Sequence, residues 1–163
     1  MISAIVAVDN NWGIGFNGDL LEHIPEDLKH FKRLTTESMV VMGRKTWDSL
    51  PRKPLPNRLN MVITNQPRHY EEMTVFTNLD EIKIRMKYAD VNDKWFVIGG
   101  GIIYKELLPL CEKVYVTKIY KEHDNIDTYF PDLDLSNEWK GTSSSEIKEY
   151  DGVKYQFWLY ERT

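Results

Sequence analysis

Only one cysteine, Cys111, stands among the 163 residues, so no disulfide framework can form within the chain, and a reducing, cytoplasmic setting is expected. No apolar run approaches the roughly 20 residues needed to cross a bilayer. The apolar stretch of MISAIVAVDNN, about seven residues with no basic flank, is too short for a signal peptide and reads as a buried first strand. Basic residues are too few to outnumber acids, and the net charge of −4 argues against a general nucleic-acid binder. The chain has no low-complexity segment, no Pro/Gly/Ser-rich linker, no block of like charge and no repeat at solenoid periods, which excludes disorder and arrays. His23, His30, His69 and His123 lack metal-ligand spacing, and the acidic stretch 124–134 lacks the order of a calcium loop, so no metal is expected. Neither G-x-S-x-G nor a cysteine–histidine motif is present, which leaves hydrolase chemistry without support.

What is present suits a globular protein. Hydrophobic residues make up 42% of the chain and charged residues 28%, enough for a core in one domain over 1–163. Short β-branched runs alternate with helical patterns. Ile2–Val8 reads as a strand. Pro25 opens a helix whose first turn carries Glu26 and Asp27 and whose apolar stripe is Ile24, Leu28, Phe31 and Leu34. A strand at 39–42 ends at Gly43 and leads into a short helix over 44–50, followed by a proline-rich loop over 51–58. Strands follow at 59–64 and 74–76. Asn78 with Glu81 marks a reciprocal cap on a helix reaching about Ala89. A strand at 95–98 breaks at three glycines before a helix over 102–108, and 114–120 is a further strand. Segments 144–150 and 153–160 flank Asp151-Gly152 as a hairpin. The pattern predicts an α/β fold, with a mostly parallel twisted sheet flanked by helices and a C-terminal antiparallel hairpin. Ligands on such sheets sit beyond the carboxyl ends of the strands.

Two strand-to-helix junctions fall there. Gly43, Arg44, Lys45 and Thr46 put two cations at a helix start, against the macrodipole, an arrangement that suits a bound phosphate or else a solvated basic turn. Ile98-Gly99-Gly100-Gly101 lets backbone approach a ligand closely or serves as a tight turn; it matches neither common dinucleotide or P-loop fingerprint. Asp27 borders the apolar stripe of its helix. Near Ile5, Leu28 and Phe31 a carboxylate is partly desolvated and its pKa rises, which fits it to grip an amidine-like group or relay a proton; the alternative is an acid that merely suits the helix dipole.

Seven stretches then stand in a shared order: I-x-A-I-V-A-V-D at the start, W-G-I-G at 12–15, I-P-E-D-L-K-H-F-K-R at 24–33, V-M-G-R-K-T-W at 41–47, P-L-P-N-R at 54–58, V-I-G-G-G at 97–101 and D-T-Y-F-P at 127–131. Over nearly the whole chain they resemble the bacterial-type dihydrofolate reductase family. The resemblance implies NADPH-dependent reduction of 7,8-dihydrofolate, with hydride transfer to pterin C6 and protonation of N5, and antifolate inhibitors among the small-molecule partners. It implies Asp27 and Thr117 as the catalytic pair. Ile5, Val6, Leu20, Leu28, Phe31, Leu50 and Leu55 would line the substrate pocket, with Arg58 on the α-carboxylate of the glutamate tail. For NADPH it implies Ala7, Ile14, Gly15, Gly43, Arg44, Lys45, Thr46, Thr64, Ile98, Gly99, Gly100, Gly101, Ile102 and Tyr104, with 15–21 as a closing loop.

Two positions depart from the family pattern. Leu20, Leu21 and Glu22 replace a leucine or methionine, proline and tryptophan, so Glu22 either faces solvent or adds a second carboxylate beside Asp27 and raises its pKa. Ile102 stands where some members carry an arginine. Two rival readings are a reductase of similar architecture acting on a ribosylated pyrimidine, and a binding protein without turnover. A monomer is the simplest expected state.

Overall fold

A computed structural model describes residues 1–15, 21–66 and 72–163. The chain opens with β1 (Ile2–Val8), buried along nearly its full length, and a short β2 (Gly13–Gly15). Helix α1 (Pro25–Thr35) begins at the proline, whose missing N–H costs nothing in a first turn. Then come β3 (Met39–Gly43), α2 (Arg44–Ser49), β4 (Leu59–Ile63) and β5 (Thr74–Thr77). Helix α3 (Leu79–Lys87), β6 (Trp95–Gly99), α4 (Gly101–Leu107) and β7 (Lys113–Ile119) follow. The chain closes with β8 (Thr128–Tyr129), β9 (Trp139–Ser144), β10 (Lys148–Tyr150) and β11 (Val153–Arg162). Among the described residues no helix is long and apolar enough to cross a membrane.

The main sheet runs β10-β11-β7-β1-β6-β3-β4-β5, with β9 also on β11. From β7 to β5 every pairing is parallel, and β11 alone reverses direction against β7. Alternate residues of the central strands feed two cores, as the two-residue period of a strand requires. On one face Ala4, Val6 and Val41 pack with Ile82 and Met86 of α3 and with Ile103, Tyr104 and Leu107 of α4. On the other, Ile5, Val40, Met42 and Val62 pack with Trp47 of α2 and with the partly buried Phe31 and Leu34 of α1. The expected fold class therefore holds.

Three local expectations change. The segment 144–150 is not one strand: β9 ends at Ser144 and β10 starts at Lys148. Both lie along the same edge of the ten-residue β11, and between them the Ser145 hydroxyl, not a backbone carbonyl, accepts from Phe157 N–H. The Gly- and Ser-rich β9 and the two- and three-residue strands β8 and β2 carry almost no β signal of their own. At α3, Asn78 caps the Glu81 N–H at 2.9 Å, but the Glu81 carboxylate accepts from the Thr77 hydroxyl and pairs with Arg85 instead of reaching back. In α1 only Ile24 of the expected stripe is buried, and Leu28 is 50% exposed. Phe31 and Leu34 pack against the second core only partly buried.

Candidate active site

The candidate site lies towards the carboxyl ends of the parallel strands, beside α1 and α2. Asp27 reaches it from the first turn of α1, and Thr117 from β7, where it pairs with Ala7 of β1. The Thr117 hydroxyl donates to Asp27 Oδ1 at 2.6 Å, across 90 residues of chain. Burial pushes the Asp27 carboxyl above its ordinary value, and the Thr117 bond opposes the rise without cancelling it. A partly desolvated carboxylate with one oxygen held by a neutral donor keeps its second oxygen for a ligand. The Tyr104 hydroxyl, on α4, donates to the Ile5 carbonyl at 2.7 Å, and its phenol is raised by burial and by the nearby Asp27 charge.

Most of the apolar residues expected around the substrate come together. Ile5, Phe31, Leu50, Leu55 and Ile98 belong to one cluster, and half-exposed Leu28 stands on the same helix. Val6 does not join them: its side chain points into the opposite core, so only its backbone faces the cleft. Leu20 lies outside the described residues, as does most of the expected closing loop. Arg58 is 3% exposed. Its guanidinium donates to the Pro56 carbonyl at 2.9 Å and the Thr35 hydroxyl at 3.0 Å and lies 5.9 Å from the Phe31 ring. These partners are neutral, and burial lowers the pKa of this cation. A buried arginine held by neutral groups is prepared for an anion from outside the chain.

The two glycine junctions meet each other. Met42 and Gly99 are register partners on β3 and β6. A Cβ placed on Gly100 would stand 3.6 Å from Thr46 Oγ1, and one on Gly43 would stand 3.1 Å from Ile103. Gly99 holds φ at +124°, which side chains rarely tolerate. A Cβ on Gly101 would come within 2.4 Å of Thr128 Cγ2. Arg44 and Lys45 are exposed at the start of α2. Thr64 follows β4 directly, its N–H bonded to the Thr77 carbonyl. Gly15 accepts from Asp127 N–H, tying β2 to the segment that leads into β8, while Ile14 packs on the first core and Ala7 near Ile24 and Tyr155. Ile102 is 76% exposed and turns away from the core.

Glu22 meets neither expectation. Its carboxylate sits 2.9 Å from His123 Nε2 and 3.1 Å from Lys121 Nζ, and His123 Nδ1 is 3.4 Å from buried Asp9. Burial pushes Glu22 upward, but these hydrogen bonds outweigh it and hold the carboxyl below its usual range. Glu22 is not among the causes that raise Asp27. This network, the Thr35–Arg58 bond and the contacts of Glu26 described below were missed in the sequence, because each joins residues far apart in the chain with no local signature.

The fold and the site together define an α/β protein with a largely buried acid at the end of a parallel sheet and glycine-rich, cationic strand ends beside it. A family model for dihydrofolate reductase matches residues 1–162. The chain is 39% identical over 165 residues to the dihydrofolate reductase of Bacillus subtilis, covering 99% of this chain and 95% of that one. It is 37% identical over 183 residues to the Rattus norvegicus enzyme of the same name, covering 99% and 97%. Its structure superposes with a TM-score of 0.84 at 32% identity on the dihydrofolate reductase of Enterococcus faecalis complexed with NADP(H) and RAB-propyl, covering 100% and 96%. The chain belongs to the dihydrofolate reductase family.

Proposed function

We propose that this chain reduces 7,8-dihydrofolate to 5,6,7,8-tetrahydrofolate with NADPH, feeding one-carbon metabolism. The observation that carries the reading is the Asp27–Thr117 pair at 2.6 Å in an otherwise apolar cleft. A pyrimidine reductase does not call for that pair together with a buried arginine whose partners in the chain are neutral, and a binding protein without turnover is separated by the assay below.

The NADPH fit rests on the open glycine backbone of 99–101 beside Thr46 and on the exposed cations Arg44 and Lys45. These, with Gly43, Thr64 and the strand ends at Ala7, Ile14, Gly15, Ile98, Ile102 and Tyr104, would hold it. When bound, NADPH supplies the hydride for pterin C6. The protein does the rest by position and exclusion of water. Asp27 accepts from the pterin 2-amino group and ring N3 and keeps a proton available to N5 through water; its raised pKa keeps that proton near at hand. Thr117 holds the carboxylate in place. Ile5, Leu28 and Phe31 sandwich the rings, with Leu50 and Leu55 opposite, and Arg58 pairs with the α-carboxylate of the tail. Arg44 and Thr64 carry the preference for the 2′-phosphate, since Ile102 has no charge to offer it. The unit spans 1–163, acts as a monomer in the cytoplasm and takes no nucleic acid, in keeping with its net charge of −4. A 2,4-diaminopyrimidine antifolate competes at Asp27.

The test is loss of reduced-nicotinamide absorbance on mixing the protein with NADPH and 7,8-dihydrofolate. Asp27→Asn should lower kcat/KM by about 100-fold or more, the scale of a lost acid–base group, and flatten the pH profile. Tight binding of both ligands without oxidation would reject the assignment.

A further inference from the structure

The first turn of α1, which carries Asp27, has no local cap. Its N-cap residue is Ile24, which offers no side-chain acceptor to the free N–H groups. Something else must hold this turn, and the C-terminal hairpin does so through Glu26. The Tyr155 hydroxyl on β11 donates to Glu26 Oε2 at 2.6 Å, and Lys148 Nζ on β10 lies 2.9 Å from Oε1. Tyr155 and Lys148 are register partners across the hairpin, so one cross-strand pair grips both oxygens of one carboxylate. Tyr155 is 2% exposed and packs with Ile24 and Ile119, which fixes its ring. Glu146 backs the grip at 2.9 Å from the same lysine. Two residues beyond Tyr155 on β11, Phe157 is the register partner of Thr117, which holds Asp27. Adjacent residues of α1 are thus pinned to adjacent strands of the sheet.

We propose that Glu26 is a positioning residue for the reduction, and that the Tyr155–Lys148 grip on it keeps Asp27 seated on Thr117. This rests on the reading of Asp27 given above. Released from β11, the first turn frays, the 2.6 Å bond from Thr117 lengthens, and Asp27 loses both its aim and the one interaction that opposes its raised pKa. Among the described residues, the titratable groups around Asp27 are Glu26 beside it and His30 one turn on along α1, Tyr155 on β11 and Tyr104 on α4, with Lys148 behind Glu26; His30 stacks on Phe157, and burial lowers it to about 4. The charges of Glu26 and Lys148 survive in Tyr155→Phe, which makes it the clean probe.

The experiment is the pH profile of kcat and KM for dihydrofolate in wild type, Tyr155→Phe, Thr117→Val and the double variant. Tyr155→Phe should lower kcat/KM on the acid plateau roughly threefold, the scale of one hydrogen bond. It should also move the falling limb of the profile to higher pH, in the direction of Thr117→Val, and add no further shift once residue 117 is valine. A charge-matched pair at exposed Glu26 gives an independent reading should Tyr155→Phe fold poorly. Glu26→Gln keeps an acceptor for the phenol and Glu26→Leu does not, so only Glu26→Leu should carry the upward displacement. A lower melting temperature with an unmoved limb in Tyr155→Phe, or identical limbs in the two Glu26 variants, would overturn the proposal and leave a merely structural clamp. An equal shift with and without Thr117 would overturn it as well. Wild-type protein without turnover would overturn the functional reading and this proposal with it, whereas a normal wild-type profile isolates the failure to the clamp.

Discussion

At the scale of single residues, Asp27 trades stability for chemistry. In the unfolded chain its carboxyl has the ordinary value of 3.8, and in the fold burial raises it. Below the unfolded value both states are protonated and the group costs nothing. As pH rises from there through the folded value, the unfolded chain gives up its proton first, so stability falls, and above the folded value the full cost remains. Asp27→Asn should therefore unfold at a higher temperature than wild type at neutral pH and show no such gain at about pH 3, below the ordinary carboxyl values. Calorimetry at the two pH values checks this. Arg58 is proposed to act on binding rather than on the hydride step. Its Thr35 and Pro56 bonds orient the guanidinium without neutralising it. Arg58→Leu should raise KM for dihydrofolate by about 10- to 100-fold, the worth of a charge-assisted hydrogen bond, with kcat nearly unchanged. A pterin lacking the glutamate should not distinguish the two proteins in steady-state kinetics.

At the scale of elements, function concentrates where strands hand over to helices. The start of α4 is packed so closely beneath β8 that Gly101 has no room for a side chain: its Cβ would lie 2.4 Å from the Thr128 methyl. Gly101→Ala should destabilise by about 1–3 kcal/mol, the range of overpacking, and weaken NADPH binding by displacing the glycine backbone. Thr128→Ser removes the opposing methyl and should restore much of the loss. Denaturant midpoints and NADPH titration of the two single variants and the double variant measure both effects. Glu22 operates at this scale too. Through Lys121, His123 and Asp9 it ties the approach to α1 to the segment after β7 and to the β1–β2 connection.

At the scale of the whole molecule, the parallel sheet gathers the residues of both proposed ligand surfaces towards the ends of β1, β3, β6 and β7, and the reversed β11 closes one side while gripping α1. Because NADPH would bind only the folded chain, saturation should stabilise all of it together. At about 100 times its Kd the gain is about 2.7 kcal/mol, which for a chain of this size raises Tm by roughly 5–10 °C. NADH at equal concentration should give a smaller rise, by the loss of the 2′-phosphate contacts. Thermal shift with the two nucleotides reads the difference directly, and equal shifts would remove Arg44 and Thr64 from that role.

Much of this was legible in the sequence, and the division has a physical basis. The continuous apolar run in Ile2–Val8, the proline at the start of α1, Gly43 and the glycines after β6, and the Asp151-Gly152 turn are local preferences, expressed within a few residues of the chain that carries them. They were sufficient for the architecture and, through ordered motifs, for the family. Short strands with weak propensity escaped because they exist only by pairing: β2 on β8, and β9 on the outer edge of β11. The tertiary structure alone turned Val6 to the opposite core, drew Glu22 to His123 rather than to solvent or Asp27, and set Tyr155 on Glu26 across 129 residues. Local sequence dictates backbone shape through sterics and solvation within a turn or a strand. Which charges face one another depends on contacts made only once the sheet is assembled.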